Sequence, residues 1–475
     1  MPSGSTFAQL VDPEAGIILR ASLSRKPLWF SDIKFASAFS NQWPGLVAAL
    51  REERARPTER SREARSAFWK PSSVSVGVGY DTDSALIRAI AEGVERFCAQ
   101  IIDRKRHVFR DASYAEMAAE GLVLPIEDYQ VLTDEQITTQ ARLEPETGKV
   151  PVRKLTPDDQ MTWVLVRELT ENKPAYVPIL NAFLGVRPPR HHDRIIEQIS
   201  TGTACHGTWE AAVLSGLCEV IERDAFVGMW LRRLSPPRVS LESLRSASAV
   251  LDRMVGEFSR TTIKLHVNDL TANFGVPTFV ATATHDRPPY AVVGAGTHPD
   301  AAIAAEKAIY EVLMAVAGYV ESTYLSENWD FWKVLPEGKI LSDHEISHMK
   351  DHSELYVKND LRSRLDFYLT APEVEFRGQT YLGDRHGGDP GAMLDFLIAT
   401  MRNAGYPVFV NDLTIDEVDR LGLKVVKVFV PRLLPLYCRE ANKPLGCARL
   451  WQYERIFPQL HVFDEPLNPW AHPFP

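Results

Sequence analysis

Apolar side chains recur at helical spacing in three separate stretches of this 475-residue chain. Over residues 83–102, Leu86, Ile90, Val94, Phe97 and Ile101 fall at i, i+4, i+8, i+11 and i+15, which lays one apolar stripe along a helix. Over 208–226, Val213, Leu217, Val220 and Ile221 gather on one side of a second. Thr297-His298-Pro299-Asp300 supplies a start signal for a third, over the alanine-rich residues 300–320. Runs rich in β-branched residues at 278–280, 291–293 and 425–430 predict strands between and after them. Leu10 to Ile18 reads as a short element, a turn and an extended run.

Elsewhere the pattern is polar. Residues 51–66 mix acidic and basic side chains, the mark of a solvated helix or loop rather than an RNA-binding arm. Residues 130–160 are poor in large apolar side chains and carry Pro145, Pro151 and Pro157, which predicts a long flexible or inserted surface segment. Val267-Asn268-Asp269-Leu270-Thr271 recurs as Val410-Asn411-Asp412-Leu413-Thr414. Asn-Asp turns at strand ends, each carboxylate bonding local backbone N–H groups, account for both copies and hint at two related strand–turn units.

Composition bounds the function. Apolar residues at 45% and charged residues at 24% fit a globular chain with a sizeable core and exclude disorder. No apolar run approaches the ~20 residues that span a bilayer, and the first residues lack the pattern of a signal peptide. Neither membrane insertion nor secretion is expected. Five cysteines, an odd count without a C-x-x-C pair, fit a reducing cytoplasm better than a disulfide framework or a zinc cluster. A net charge of −9 argues against nucleic acid as the main partner. The phosphate loop, the H-E-x-x-H zinc motif and the G-x-S-x-G elbow are all absent. Gly77-Val78-Gly79 and Gly294-Ala295-Gly296 are glycine pairs that read only as turn signals. His191-His192-Asp193 lies in a Pro-Pro-Arg loop, and adjacent histidines are poorly placed to share one metal ion.

The positive signal is carboxylate. Glu92-Gly93-Val94-Glu95-Arg96 and Glu219-Val220-Ile221-Glu222-Arg223 repeat one pattern, E-x-x-E-R, on two helices. Glutamates at i and i+3 share a helix face, where like charges cost roughly 0.2–0.5 kcal/mol. The neighbouring arginine, or solvent, would explain one copy; two copies on apolar helices point to a shared acidic centre. Magnesium takes one or two carboxylates and completes its shell with phosphate oxygens. Glu92, Glu95, Glu219 and Glu222 are therefore candidate metal ligands. Glu311 and Lys307, one turn apart on the third helix, join them, and Arg223 and Lys307 offer donors to phosphate. Such a centre suits nucleotide-dependent phosphoryl transfer.

These glutamate helices fall in a fixed order with other segments. Leu10-Val11-Asp12-Pro13 precedes them, Ser200-Thr201-Gly202-Thr203-Ala204 leads into the second, and Gly294-Ala295-Gly296-Thr297-His298-Pro299-Asp300 leads into the third. Val410-Asn411-Asp412-Leu413-Thr414 and Gly422-Leu423 follow. In that order the chain resembles the YcaO-domain family, ATP-dependent enzymes acting on peptide backbone amides. The resemblance implies an α+β fold of mixed sheets, with helices carrying paired glutamates around an ATP and Mg2+ site. It covers nearly all of residues 1–475, read as one stand-alone catalytic domain. The segment 466–475 ends in His472-Pro473-Phe474-Pro475, similar to the P-x-P-x-P tail of azoline-forming members, with Ala471 in place of the first proline. In that class the tail lies near the active site, which implies catalytic or positioning roles for His472 and the Pro475 carboxylate. The chain departs from the family pattern at Arg88, where a serine is common, and at Ala204, Ala211 and Ser215, where Ser, Glu and Gln are common. Glu210 lies one residue from the second of these, and Lys307 stands where an arginine is usual.

The resemblance implies a cyclodehydratase of thiazole- or oxazole-modified, microcin-like peptides. A Cys, Ser or Thr side chain attacks the preceding carbonyl, ATP phosphorylates the amide-derived oxygen, and loss of phosphate leaves an azoline. The expected partners are a ribosomal precursor peptide, a separate leader-binding E1-like protein, a flavin-dependent azoline dehydrogenase and a second copy of the chain. Two alternatives stand beside this reading. One is thioamide formation from external sulfide. The other is an inactive peptide-binding scaffold, which Arg88, Ala204 and Ala211 favour and the intact glutamate pairs oppose.

Overall fold

Among the described residues three sheets divide the strands, and each backs one long helix. The computed structural model describes residues 10–11, 17–23, 33–40, 73–121, 123–147, 153–186, 197–325, 346, 348–378, 388–458, 460 and 467–474. The first sheet is antiparallel: β1 (Ile18–Leu23), β2 (Lys34–Ser40) and β3 (Ser73–Gly79). Helix α1 (Thr82–Cys98) follows β3 and packs across all three strands. The second sheet orders β4 (Phe109–Ser113), β5 (Gln160–Glu168), β13 (Phe409–Asp412), β14 (Lys424–Phe429) and β7 (Thr203–His206), with β6 (Lys173–Pro178) also on β5. Helix α2 (Asp134–Thr147) lies in the stretch between β4 and β5, and α3 (Trp209–Arg232) packs on β7 and β14. The third sheet orders β11 (Ala291–Thr297), β10 (Thr278–Thr284), β9 (Lys264–Asp269), β8 (Arg238–Val239) and β12 (Glu373–Val374). Helix α4 (Ala249–Ser259) packs on β9, and α5 (Ala301–Leu325) covers β10 and β11. Helix α6 (Met349–Lys358) also touches β11.

Each long helix is shared. Helix α1 also touches β7 and β14, α3 also touches β10 and β11, and α5 also touches β3. Burial on more than one side explains their lengths. Helix α3 runs six residues past the predicted end because 227–231 are apolar and buried all round, so no stripe marks its boundary. It stops where Arg233 takes the left-handed conformation, at φ 52°. Helix α1 starts at Asp81, whose carboxylate accepts from Ser84 N–H at 2.8 Å, and ends at Cys98, short of the predicted 102.

Two sequence expectations need correction. The stretch 130–160, read as a long flexible or inserted surface segment, contains a regular helix, α2. Thr133 and Gln136 bond reciprocally at its start, and the buried Gln140 donates to Ala441 O and Asn442 Oδ1 at 2.9 and 3.0 Å. Its anchors are polar, so apolar periodicity could not reveal it. The glycine pairs are not turns either; they lie inside β3 and β11. A Cβ on Gly77 would sit 2.0 Å from Ala85 O, and one on Gly296 would sit 2.1 Å from Ala304 O. Glycine there lets a helix lie directly on its strand. The repeated Asn-Asp segments are strand-end turns, as read: Asp269 and Asp412 accept from Thr271 and Thr414 N–H at 3.0 and 2.9 Å. Residues 51–66 and 191–193 lie outside the described residues.

Gly77→Ala should destabilise the protein by about 1–3 kcal/mol, the usual cost of forcing volume into a close contact. Urea denaturation measures it, and an unchanged midpoint would show that α1 can lift from β3 freely.

Candidate active site

Three glutamates on three helices are tied down by one device. Val76 N–H on β3 donates to Glu92 Oε2 of α1 at 3.2 Å. Gly202 N–H, just before β7, donates to Glu219 Oε2 of α3 at 3.0 Å. Ala295 N–H on β11 donates to Glu311 Oε2 of α5 at 3.0 Å. The donor precedes its glutamate by 16, 17 and 16 residues. Each strand thus fixes one carboxylate of the helix that follows it. Nothing in the residue pattern announces these backbone anchors.

The arginines of the E-x-x-E-R motifs bridge their own glutamates. Arg96 lies 3.7 Å from Glu92 and 3.6 Å from Glu95. Arg223 lies 3.2 Å from Glu219 and 2.7 Å from Glu222. The neighbouring arginine thus holds both glutamates of each motif. The charge of Glu219 acts on Glu92 and Glu95 of α1 as well as on Glu222 and on Glu311 of α5, so the acids of the three helices lie within electrostatic reach of one another.

Burial and mutual repulsion act on the acids. Loss of water, opposed by Arg96 and reinforced by Glu219 and Glu92, pushes the Glu95 carboxyl up to about 8. Loss of water, opposed by Arg223 and reinforced by Glu311, pushes Glu222 up to about 8. Burial also raises Glu92 and Glu311. Lys307, four residues before Glu311, lowers Glu222 and Glu311 and places its Nζ 3.5 Å from Thr297 O.

Sequence reasoning missed Lys427. It sits on β14, buried, with Nζ donating to Ile199 O and Thr201 O at 2.6 Å each. Burial lowers its pKa to about 8. Val428 N–H donates to Gly202 O at 2.7 Å, so β14 holds the loop that aims Gly202 N–H at Glu219. Gly202 has φ +83°, and a Cβ there would lie 2.1 Å from Val428 O. A lone lysine inside the apolar run 425–430 was the available signal.

The departures from the family pattern have local explanations. Arg88 donates to Val78 O at 2.7 Å and lies 4.3 Å from the Tyr310 ring centre, joining β3, α1 and α5. Ala211, Ser215 and Glu219 form one stripe at i, i+4 and i+8, while Glu210 is exposed. Ala204 is buried on β7 opposite Val426.

The tail is packed, not loose. Asn468 N–H donates to Leu231 O at 2.8 Å, and Tyr356 donates to Ala471 O at 2.6 Å. Phe474 is buried 4.7 Å from the Phe226 ring, with the Arg223 guanidinium 4.1 Å over its face. His472 stacks on His352 at 3.7 Å and bonds Tyr437 O through Nε2 at 3.0 Å. Burial holds its pKa well below the usual range, so it is neutral and donates from Nε2. Among the described residues, none of the five glutamates bonds to or stacks on it. Pro475 lies outside the described residues.

The donor set suits a hard cation: in these clustered carboxylates burial first, and neighbouring acids second, disfavour the charged form that a dication would favour. Among the described residues no group of three His, Cys, Asp or Glu forms a ready metal cage. Single carboxylates completed by phosphate oxygens fit that arrangement.

In the folded protein Glu95 and Glu222 keep protons to about pH 8, against a usual 4.5, so the folded state binds more protons across that window. Stability should therefore fall as pH rises from 4.5 toward 8. Glu222→Gln should flatten that fall, read as urea midpoints across the window, and an unchanged slope would contradict the shift.

The family described as YcaO cyclodehydratase, ATP- and Mg2+-binding, matches residues 76–434. An uncharacterised protein from the tfuA 3′ region of Rhizobium leguminosarum bv. trifolii is 31% identical over 265 residues, which is 52% of this chain and 56% of that protein. A solved heterocyclase in complex with substrate and cofactor superposes with a TM-score of 0.70 at 21% identity, covering 100% of this chain and 57% of that one. The E. coli microcin synthetase McbBCD complex gives a TM-score of 0.58 at 13% identity, covering 96% of both chains. The chain thus spans little more than half of the first two proteins. Among the described residues no helix is long and apolar enough to cross a membrane. With the family match spanning most of its length and the α+β fold shared, this chain belongs to the YcaO family, whose members bind ATP and Mg2+.

Proposed function

We propose that this chain is an ATP-dependent cyclodehydratase that converts Cys, Ser or Thr residues of a ribosomal precursor peptide to thiazolines or oxazolines. The observation that carries the reading is the joining of two features. The glutamate cluster and the C-terminal tail meet at Arg223, which bridges Glu219 and Glu222 and is capped by Phe474.

Glu92, Glu95, Glu219 and Glu222 would hold Mg2+, while Arg223, Lys307 and Glu311 would set the orientation of the nucleotide phosphates. Bound Mg-ATP supplies the phosphoryl group that turns an amide-derived oxygen into a leaving group. The chain's own task is to fix that geometry and keep water out, and strand-anchored carboxylates do so at little cost in reorganisation. His472 acts as a positioning residue: its neutral ring donates to Tyr437 O and holds the tail. The Pro475 carboxylate, one residue beyond Phe474, is the group proposed to serve in proton transfer.

The likeness to a microcin synthetase complex supports work alongside partner subunits, with a leader-binding protein and an azoline dehydrogenase as the finer assignments. The ordered tail favours ring formation over thioamide formation. Two intact glutamate pairs weigh against an inactive scaffold.

Mixing the protein, precursor peptide, a leader-binding partner and Mg-ATP should give loss of one water per ring by mass spectrometry. Glu222→Gln should abolish that loss while leaving the circular dichroism spectrum unchanged; wild-type turnover in that variant would refute the assignment. Extending the chain by a few glycines should slow ring formation about tenfold or more, as misplaced catalytic groups do. Nucleotide binding should persist in the extended protein. An unchanged cyclisation rate would reduce the tail to packing.

A further inference from the structure

We infer that Lys427 is a positioning residue for Mg-nucleotide binding, supplying to the second of three equivalent strand–helix units the cation that Arg88 and Lys307 supply to the first and third. This rests on the reading of the glutamate centre and deepens it, and its test reads nucleotide binding rather than ring formation.

The three anchored glutamates belong to three copies of one arrangement. Each of β3, β7 and β11 ends its sheet, and a backbone N–H on that strand or just before it holds a carboxylate of the next long helix. The copies close into a ring, because α1 also packs on β7, α3 on β11 and α5 on β3. In two copies the match extends to a second bond. Arg88, four residues before Glu92, donates to Val78 O at 2.7 Å, two residues beyond the donor Val76. Lys307, four residues before Glu311, reaches Thr297 O at 3.5 Å, again two residues beyond the donor, Ala295. Residues four apart share a helix face, so cation and carboxylate brace the same short piece of strand.

The second copy breaks the pattern. Ser215 stands four residues before Glu219 and carries no charge. The cation comes instead from the neighbouring strand β14: Lys427 Nζ donates to Ile199 O and Thr201 O at 2.6 Å each, just before the donor Gly202. Lys427 is buried, and the charges of Glu219, Arg96 and Glu95 act on it, which sets it where α3 faces α1. Lysines are almost never fully buried unless paired, and here two carbonyls and nearby carboxylates answer the charge. Removing Lys427 loosens the loop that aims Gly202 N–H at Glu219. It also takes one positive charge from beside the carboxylates proposed to hold Mg2+.

Binding of a non-hydrolysable ATP analogue to the full chain, titrated against Mg2+, provides the test. Lys427→Met, which nearly keeps the side-chain length, should raise the Mg2+ concentration for half-maximal binding at least about tenfold, as the loss of a charged hydrogen bond would. Lys307→Met should shift that midpoint the same way. Adding Ser215→Lys to Lys427→Met returns a cation to the place that the other two copies use, and should bring the midpoint back toward the wild-type value. A lysine that merely filled space on β14 would not be replaced by one on α3. The inference is overturned if Lys427→Met keeps the wild-type midpoint, or if Ser215→Lys leaves the midpoint shifted. Should Lys427→Met fail to fold by circular dichroism, the double variant decides: folded with a near-wild-type midpoint it supports the inference, and unfolded it overturns it. The two readings fail separately, because absent ring formation in the reconstituted mixture strikes the cyclodehydratase reading and leaves the Mg2+ titration untouched.

Discussion

Five carboxylates crowd together, Glu222 buried and the other four half-buried, and the rest of the site is arranged to hold them against their mutual repulsion. Arg96 and Arg223 each bridge a pair, while Lys427 and Lys307 lie close enough to act on the acids electrostatically. Four cations against five anions leave the cluster short of positive charge. Loss of water is the larger cause of the shift in two of the acids, and it pushes Glu95 and Glu222 up to about 8. Acids that hold protons near neutral pH can exchange them for a dication.

Geometry does the remaining work. In each of three units a backbone N–H in a strand, or just before one, fixes one glutamate oxygen of the helix that follows, which limits how far the carboxylate can swing away from its neighbours. That bond requires the helix to lie unusually close to its strand, and Gly77 and Gly296 permit the approach. The sheets therefore act as a rigid frame for charge placement. The tail extends the frame: Phe474 covers Arg223, and its own position is set by His472, His352 and the Tyr437 carbonyl.

Much of this was legible in the sequence where the signal was local. The stripe of α1 and the E-x-x-E-R repeat follow from spacing alone, and so does the pairing of Lys307 with Glu311 one turn later. The partial P-x-P-x-P ending implied, through the family resemblance, a tail near the site, and residues 467–474 pack onto α3 and α6. What escaped depended on contacts between distant segments or on backbone atoms. Helix α2 is secured by Gln136 and Gln140 bonding to residues about three hundred positions away, with no apolar stripe to betray it. The strand anchors use N–H groups that every residue carries. Lys427 looked like part of a strand pattern, and only the fold shows that it clamps the Ile199–Gly202 loop.

The central claim is that these buried acids exchange protons for Mg2+ when nucleotide binds. Isothermal titration of a non-hydrolysable ATP analogue with Mg2+, near neutral pH and in buffers of different ionisation enthalpy, tests it most directly. The account predicts Mg2+-dependent binding with net proton release, because Glu95 and Glu222 are largely protonated beforehand. Binding that is indifferent to Mg2+ and gives the same heat in every buffer would contradict it.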